Sequence, residues 1–146
     1  MRFALIDAIL ECSAERIVAM KQVSRAEEYL ADHFPTFAVL PGVLMVETMV
    51  QAARHMLREV SPERLVLGEV KALRFGNLVR PGEQLIVEVT LHKRDVEAGT
   101  FTCTGKGHVV RAGQTISAGG ETAVSGRFTM RAVTFDQQHM QGVQSR

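Results

Sequence analysis

Hydrophobic positions fall into two patterns along this chain. From Gly42 to Leu57 they run almost unbroken, with Glu47, Thr48, Gln51, Arg54 and His55 as the polar interruptions. Such a run exceeds ordinary strand length and predicts a helix, buried on every side through its first half. From Arg64 onward the pattern becomes short and alternating. It predicts strands at Leu65–Val70, Gln84–Leu91, Phe101–Val110 and Gly126–Val133, separated by turn signals at Arg80-Pro81-Gly82, Glu97-Ala98-Gly99 and Arg111-Ala112-Gly113-Gln114. Alternation is clearest from Gln84 to Leu91, which implies one packed and one wet face. Thr115 to Ser125 has no clear pattern, and Gly119-Gly120 suits either a bulge or a turn.

Ahead of the helix, Phe3–Cys12 suits strand or helix equally, and Arg16–Val23 reads as a strand. Ser24 with Glu27 three residues on forms a candidate capping box for a short helix through Leu30. Tyr29, the only tyrosine, reads as a packing residue. Phe34-Pro35 and Leu40-Pro41 then bracket a loop restricted at both ends, which can hold His33 in one orientation.

The candidate chemistry lies in and before the helix. Glu47 is a lone carboxylate in apolar surroundings, so it should be paired, solvated by a cavity, or shifted toward its neutral form. His33, fourteen residues upstream across two prolines, cannot share a helix face with it. The two can still line one pocket from different elements or different subunits, combining a group that titrates near neutrality with an acid of raised pKa. The residues alone favour the plainer reading, a structural histidine in a turn and a glutamate that points into solvent. Gln51, one turn after Glu47, is placed to hydrogen-bond its carboxyl. Gly42 opens the helix, where backbone N–H groups lack intrahelical partners and a ligand oxygen can approach, although a helix start needs a small residue on its own account.

Bulk properties narrow the field. The 146 residues suit one domain, expected over 1–135, with a polar, glutamine-rich tail at 136–146. Lys+Arg 17 against Asp+Glu 16 gives a net charge of +1 with no block of like charge, which argues against nucleic acid or an anionic membrane surface as partner. Cys12 and Cys103 have no paired spacing and read as two core thiols in a reducing, cytoplasmic setting. Asp7 interrupts any signal-peptide core, and the longest apolar run contains Glu47, so no membrane span is expected. Neither metal nor cofactor is called for. His55 and Glu59 lack a third ligand, and Gly105-Lys106-Gly107 lacks the spacing and the hydroxyl of a phosphate loop.

Two separated blocks carry a resemblance. His33-Phe34-Pro35, then Leu40-Pro41-Gly42-Val43-Leu44-Met45-Val46-Glu47, then Gln51-Ala52, resembles the signature of the β-hydroxyacyl-acyl-carrier-protein dehydratases of fatty-acid synthesis. Leu73-Arg74-Phe75 with Val79-Arg80-Pro81-Gly82-Glu83-Gln84-Leu85 is similar to a second stretch of that family. The likeness covers residues 3–133. It implies an α+β hot-dog fold, in which a curved antiparallel sheet wraps one long helix, and it favours strand for Phe3–Cys12. The resemblance assigns His33 as base and Glu47 as acid in dehydrating 3-hydroxyacyl thioesters on acyl carrier protein to trans-2-enoyl thioesters. It gives substrate binding to Gly42, its neighbours Pro41 and Val43, and Gln51. The site is shared between subunits in that family, which implies a homodimer at least and often a trimer of dimers. One departure is the loop Thr36-Phe37-Ala38, where the family carries glycine and proline. Two rival readings are an acyl-thioester hydrolase and a non-catalytic acyl-binding subunit of the same fold.

Overall fold

A computed structural model describes residues 3–116 and 120–133. The expected tail at 136–146 and the Gly119 half of the glycine pair lie outside the described residues. Six strands form one antiparallel sheet: β1 (Ala8–Cys12), β2 (Arg16–Gln22), β3 (Leu65–Phe75), β4 (Gln84–Asp95), β5 (Thr100–Val110) and β6 (Glu121–Ala132), in the order β1-β2-β4-β5-β6-β3. The helix α1 (Gly42–Met56) continues as a 3-10 turn at Leu57–Glu59 and packs against β2 to β6. This is the expected sheet around one helix.

The core forms between one side of α1 and the facing side of the sheet. Met45, Met49, Val50, Ala53 and Met56 meet Ile17, Ala19, Leu85, Val87, Val89, Cys103, Phe128 and Met130, all buried. Close approach depends on Gly105, where an added Cβ would lie 3.1 Å from the Phe128 ring and collide with the Met49 sulfur. That glycine, no phosphate ligand, is the floor on which the helix rests. Exposure falls to 0% at Cys103, and desolvation pushes its thiol up to about 12, an inert core group. Cys12, in contrast, is exposed beside the β1–β2 turn and is not the core thiol expected.

Several boundaries differ from the sequence expectation for physical reasons. α1 is not buried all round: Val43, Glu47, Gln51, Arg54 and His55 lie on a stripe that the sheet leaves uncovered, with Val43 73% exposed. β3 continues five residues past Val70, because an edge strand needs only one hydrogen-bonded neighbour, β6, and tolerates polar residues on both faces. β6 starts at Glu121, inside the stretch that had no readable pattern. The turn Arg80–Glu83 closes through Glu83 N–H to Arg80 O at 3.0 Å, with Gly82 at φ 91°, the left-handed conformation a type II turn requires there.

No capping box forms at Ser24. The short helix is a 3-10 turn at Glu28–Leu30 without a side-chain cap, because Glu27 turns instead to Lys21, 2.7 Å from Nζ. Lys21 is only 4% exposed and also lies 3.3 Å from Asp7. Burial by itself lowers its pKa, but the hydrogen bond to Glu27 and the charge of Asp7 outweigh it, and the net shift is upward from 10.5. The Tyr29 ring lies tilted near Phe3, with centroids 6.0 Å apart and an interplanar angle of 38°, its hydroxyl is buried without a partner, and burial pushes its pKa up.

Two outcomes follow for stability. Gly105→Val should cost about 1–3 kcal/mol by overpacking, read as a lower denaturant midpoint at unchanged slope. A lysine whose pKa rises on folding contributes fully below its ordinary value and loses that contribution as pH climbs through the folded value. Wild-type stability should therefore fall above about pH 10.5 more steeply than that of Lys21→Met. At neutral pH that variant should be weaker by about 2 kcal/mol, less than a fully buried pair because Asp7 is open to water.

Candidate active site

His33 sits at the end of a tight loop. Its backbone C=O accepts from Val39 N–H at 3.0 Å, and Phe34 and Phe37 exchange backbone hydrogen bonds at 3.0 and 3.1 Å. Thus the altered Thr36-Phe37-Ala38 segment closes as a turn, with the Arg80 guanidinium 4.7 Å above the Phe37 ring. The His33 ring stacks on Phe34 at 4.4 Å, and its Nδ1 lies 2.9 Å from Val39 O. A carbonyl can only accept, so Nδ1 carries a proton, and in the neutral ring Nε2 is the nitrogen with the free lone pair. That tautomer is the one a general base needs.

Glu47 is held from the other direction. Gln51 Nε2 donates to Glu47 Oε1 at 3.0 Å and to Phe3 O at 2.8 Å, while Gln51 Oε1 accepts from Leu5 N–H at 2.9 Å. The two backbone partners fix which end of the amide faces the carboxyl. Oε1 is thereby occupied, and Oε2 is the oxygen left to hold or transfer a proton. Sequence reading placed Gln51 near Glu47, but the part played by the Phe3–Leu5 backbone carries no signal in side-chain identities.

Gly42 opens α1, with Leu44 and Met45 N–H both bonding to Pro41 O at 2.9 and 3.2 Å. The Gly42 and Val43 N–H groups have no intrahelical acceptor. The Phe75 ring lies across Gly42, where a Cβ would be 2.7 Å from Cε1, so the glycine makes room for an aromatic side chain. Phe75 is itself 53% exposed, and nothing in the pattern of β3 foretold its position.

Within one chain the two candidate catalytic groups line different hollows. His33, Pro41, Gly42 and Val43 border a cavity of about 540 Å³ whose wall is apolar, including Phe34, Phe75 and Leu78. Glu47 and Gln51 border another of about 690 Å³, with Arg54, Arg58 and Arg64 on its rim. The cavities have no lining residue in common. A single chain therefore brings together His33 with Gly42, and Glu47 with Gln51, but not His33 with Glu47.

Comparison with known proteins settles the family. A family model described as ApeI dehydratase matches residues 10–114. This chain belongs to the hot-dog dehydratases. The 3-hydroxyacyl-acyl-carrier-protein dehydratase FabZ of Polaromonas sp. is 38% identical over 124 residues, covering 80% of this chain and 82% of that protein. Its namesake from Bacillus cytotoxicus is 38% identical over 125 residues, covering 82% and 87%. In fold, this dehydratase is similar to the dehydratase heterocomplex ApeI:P from Xenorhabdus doucetiae, with TM-score 0.64, 14% identity and coverage of 86% and 96%. It is also similar to the fluoroacetyl-CoA thioesterase FlK, with TM-score 0.65, 15% identity and coverage of 90% and 95%. Those two likenesses bear on fold alone, so the hydrolase reading gains nothing from the second. Among the described residues, no helix of this dehydratase is long and apolar enough to cross a membrane.

Removing the amide that ties these parts together should have two effects. Gln51→Leu leaves Leu5 N–H buried without an acceptor and should cost about 1–3 kcal/mol. Amide hydrogen exchange at Leu5 should quicken in that variant, while exchange in β4 and β5 stays slow.

Proposed function

We propose that the protein performs its family's reaction with His33 as base and Glu47 as acid, at a site assembled from two copies of the chain. The reaction is dehydration of a 3-hydroxyacyl thioester on acyl carrier protein to the trans-2-enoyl thioester, the activity for which the Polaromonas and Bacillus relatives are named, here as a step of fatty-acid biosynthesis. His33 Nε2 removes a proton from C2, and the electron pair moves toward the thioester carbonyl. Gly42 N–H, at the positive end of α1, receives the oxygen as it gains charge. Neutral Glu47 gives its Oε2 proton to the C3 hydroxyl, which leaves as water as the C2–C3 double bond forms. Pro41 and Val43 border the thioester, and Gln51 keeps the carboxyl in place.

The observation that supports this reading best is the chemical split between the hollows. Base and oxyanion donor lie in one, the acid in the other, so joining two chains supplies both halves twice. The free edge of β3 supports such a joining. Among the described residues it pairs only with β6, and it exposes Leu67, Leu73 and Phe75, which a lone strand edge would leave to water. A homodimer through this edge is the assembly we infer, and dimers can group further into trimers of dimers. Acyl carrier protein delivers the substrate, no metal or cofactor takes part, and the setting is the cytoplasm.

Complementation tests the shared site directly. His33→Ala and Glu47→Gln should each slow crotonyl-thioester hydration, the reverse reaction, by roughly 10²–10⁴-fold. Unfolding and refolding the two variants together should restore activity, because each mixed dimer contains one site with both groups intact. Mixed dimers as inactive as either parent would show that the two groups act within one chain or not at all. Release of free thiol without double-bond chemistry would instead indicate a hydrolase.

A further inference from the structure

We infer that the hollow beside Glu47 receives an acyl tail ending in a carboxylate, held by Arg54, Arg58 and Arg64. This deepens the proposed function and rests on its assignment of roles. If His33 and Gly42 serve C2 and the thioester carbonyl, the thioester end of the substrate occupies their apolar hollow. Glu47 then acts at C3 from the far side, and the carbons beyond C3 continue into the cavity that surrounds its carboxyl.

That cavity is poorly suited to a plain alkyl tail. Arg54 lies seven residues after Glu47 on α1, about 10 Å along the axis, on the same uncovered stripe. Its Nε donates to Leu65 O at 3.0 Å, which anchors the guanidinium at the rim while leaving its terminal nitrogens available. Arg58 projects from the 3-10 turn beyond α1 and Arg64 from the segment leading into β3. Ion pairs among the described residues engage Arg16, Lys21, Lys71 and Arg111, but none of these three arginines. Two carboxylates touch the cavity. Asp7 is already bound by Lys21 and by Gln22 N–H at 2.7 Å, and Glu47 is bound by Gln51 and reserved for chemistry.

An alkyl chain laid along this wall would strip water from guanidinium groups and return no hydrogen bond. A terminal carboxylate would accept from the planar donor forks of arginine, the geometry that suits bidentate pairing. Phe3, Ile6 and Ile9, on the same cavity, supply apolar contact for the methylenes between C3 and the charge. The chemical class indicated is a 3-hydroxyacyl thioester carrying an acid at its distal end.

Matched pairs of saturated pantetheine thioesters, adipyl against hexanoyl and suberyl against octanoyl, isolate the terminal charge at constant carbon number. Calorimetry on the wild-type protein should find at least one dicarboxylic member bound roughly tenfold more tightly than its partner, an advantage that shrinks with salt. Arg54→Gln and Arg58→Gln should each reduce that ratio. Equal affinities within both pairs would overturn the inference, as would a ratio unmoved by either substitution. A large gain from pantetheine to coenzyme A thioesters, with no difference within the pairs, would assign the arginines to the phosphate of the carrier arm and equally overturn it. Because the readout is binding, loss of crotonyl-thioester hydration by wild-type protein would count against the catalytic roles and leave the tail comparison legible.

Discussion

The close seating of α1 on the sheet is the constraint from which the site derives. Gly105 admits Met49 and Phe128 to the same small volume, and the helix settles with Met45, Met49, Ala53 and Met56 inward. A cylinder pressed on a sheet from one side keeps its opposite side free. Val43, Glu47, Gln51 and Arg54 fall on that free side, spaced by single turns. The Glu47 carboxyl thus faces a cavity because the core has claimed the rest of the circumference.

Polarity divides the molecule along the same helix. At its start, proline, glycine and aromatic rings make a dry wall beside the imidazole, whose tautomer is fixed by one backbone carbonyl. Toward its end, guanidinium groups and a primary amide dominate. A backbone segment before β1 stitches onto Gln51 through Phe3 and Leu5, so the acid is held by chain that is remote in sequence. Lys21 keeps the neighbouring strand and the 3-10 turn together through Asp7 and Glu27. Polar contacts between elements thus fix the pieces of the site on the frame that the core provides.

Much of this was legible before the fold was seen. The long apolar run gave α1 within a residue at its start, since Pro41 and Gly42 are strong boundary signals. Alternation gave β4 and β5, where one face meets the helix. Legibility failed where a partner outside the local window decided the outcome. Glu27 looked like half of a capping box until Lys21 took it, and the strand predicted to Val70 runs on to Phe75 because an edge strand can expose both faces. Gly42 looked open, whereas Phe75 covers it from a strand thirty-three residues away. His33 and Glu47 stood out as candidates through the family resemblance, but no linear pattern could reveal that they border different cavities.

The edge strand β3 carries one further feature. Ala72 adopts φ 51°, and the register with β6 shifts both between Leu67 and Glu69 and between Lys71 and Arg74. A strand bent in this way offers its outer hydrogen-bonding groups in short, mutually misaligned stretches instead of one straight ladder. Endless side-by-side accretion of molecules needs a flat, continuous template, and this one is broken by design of the backbone. Kinks of this kind deny a neighbouring molecule the long, regular edge on which ribbons grow.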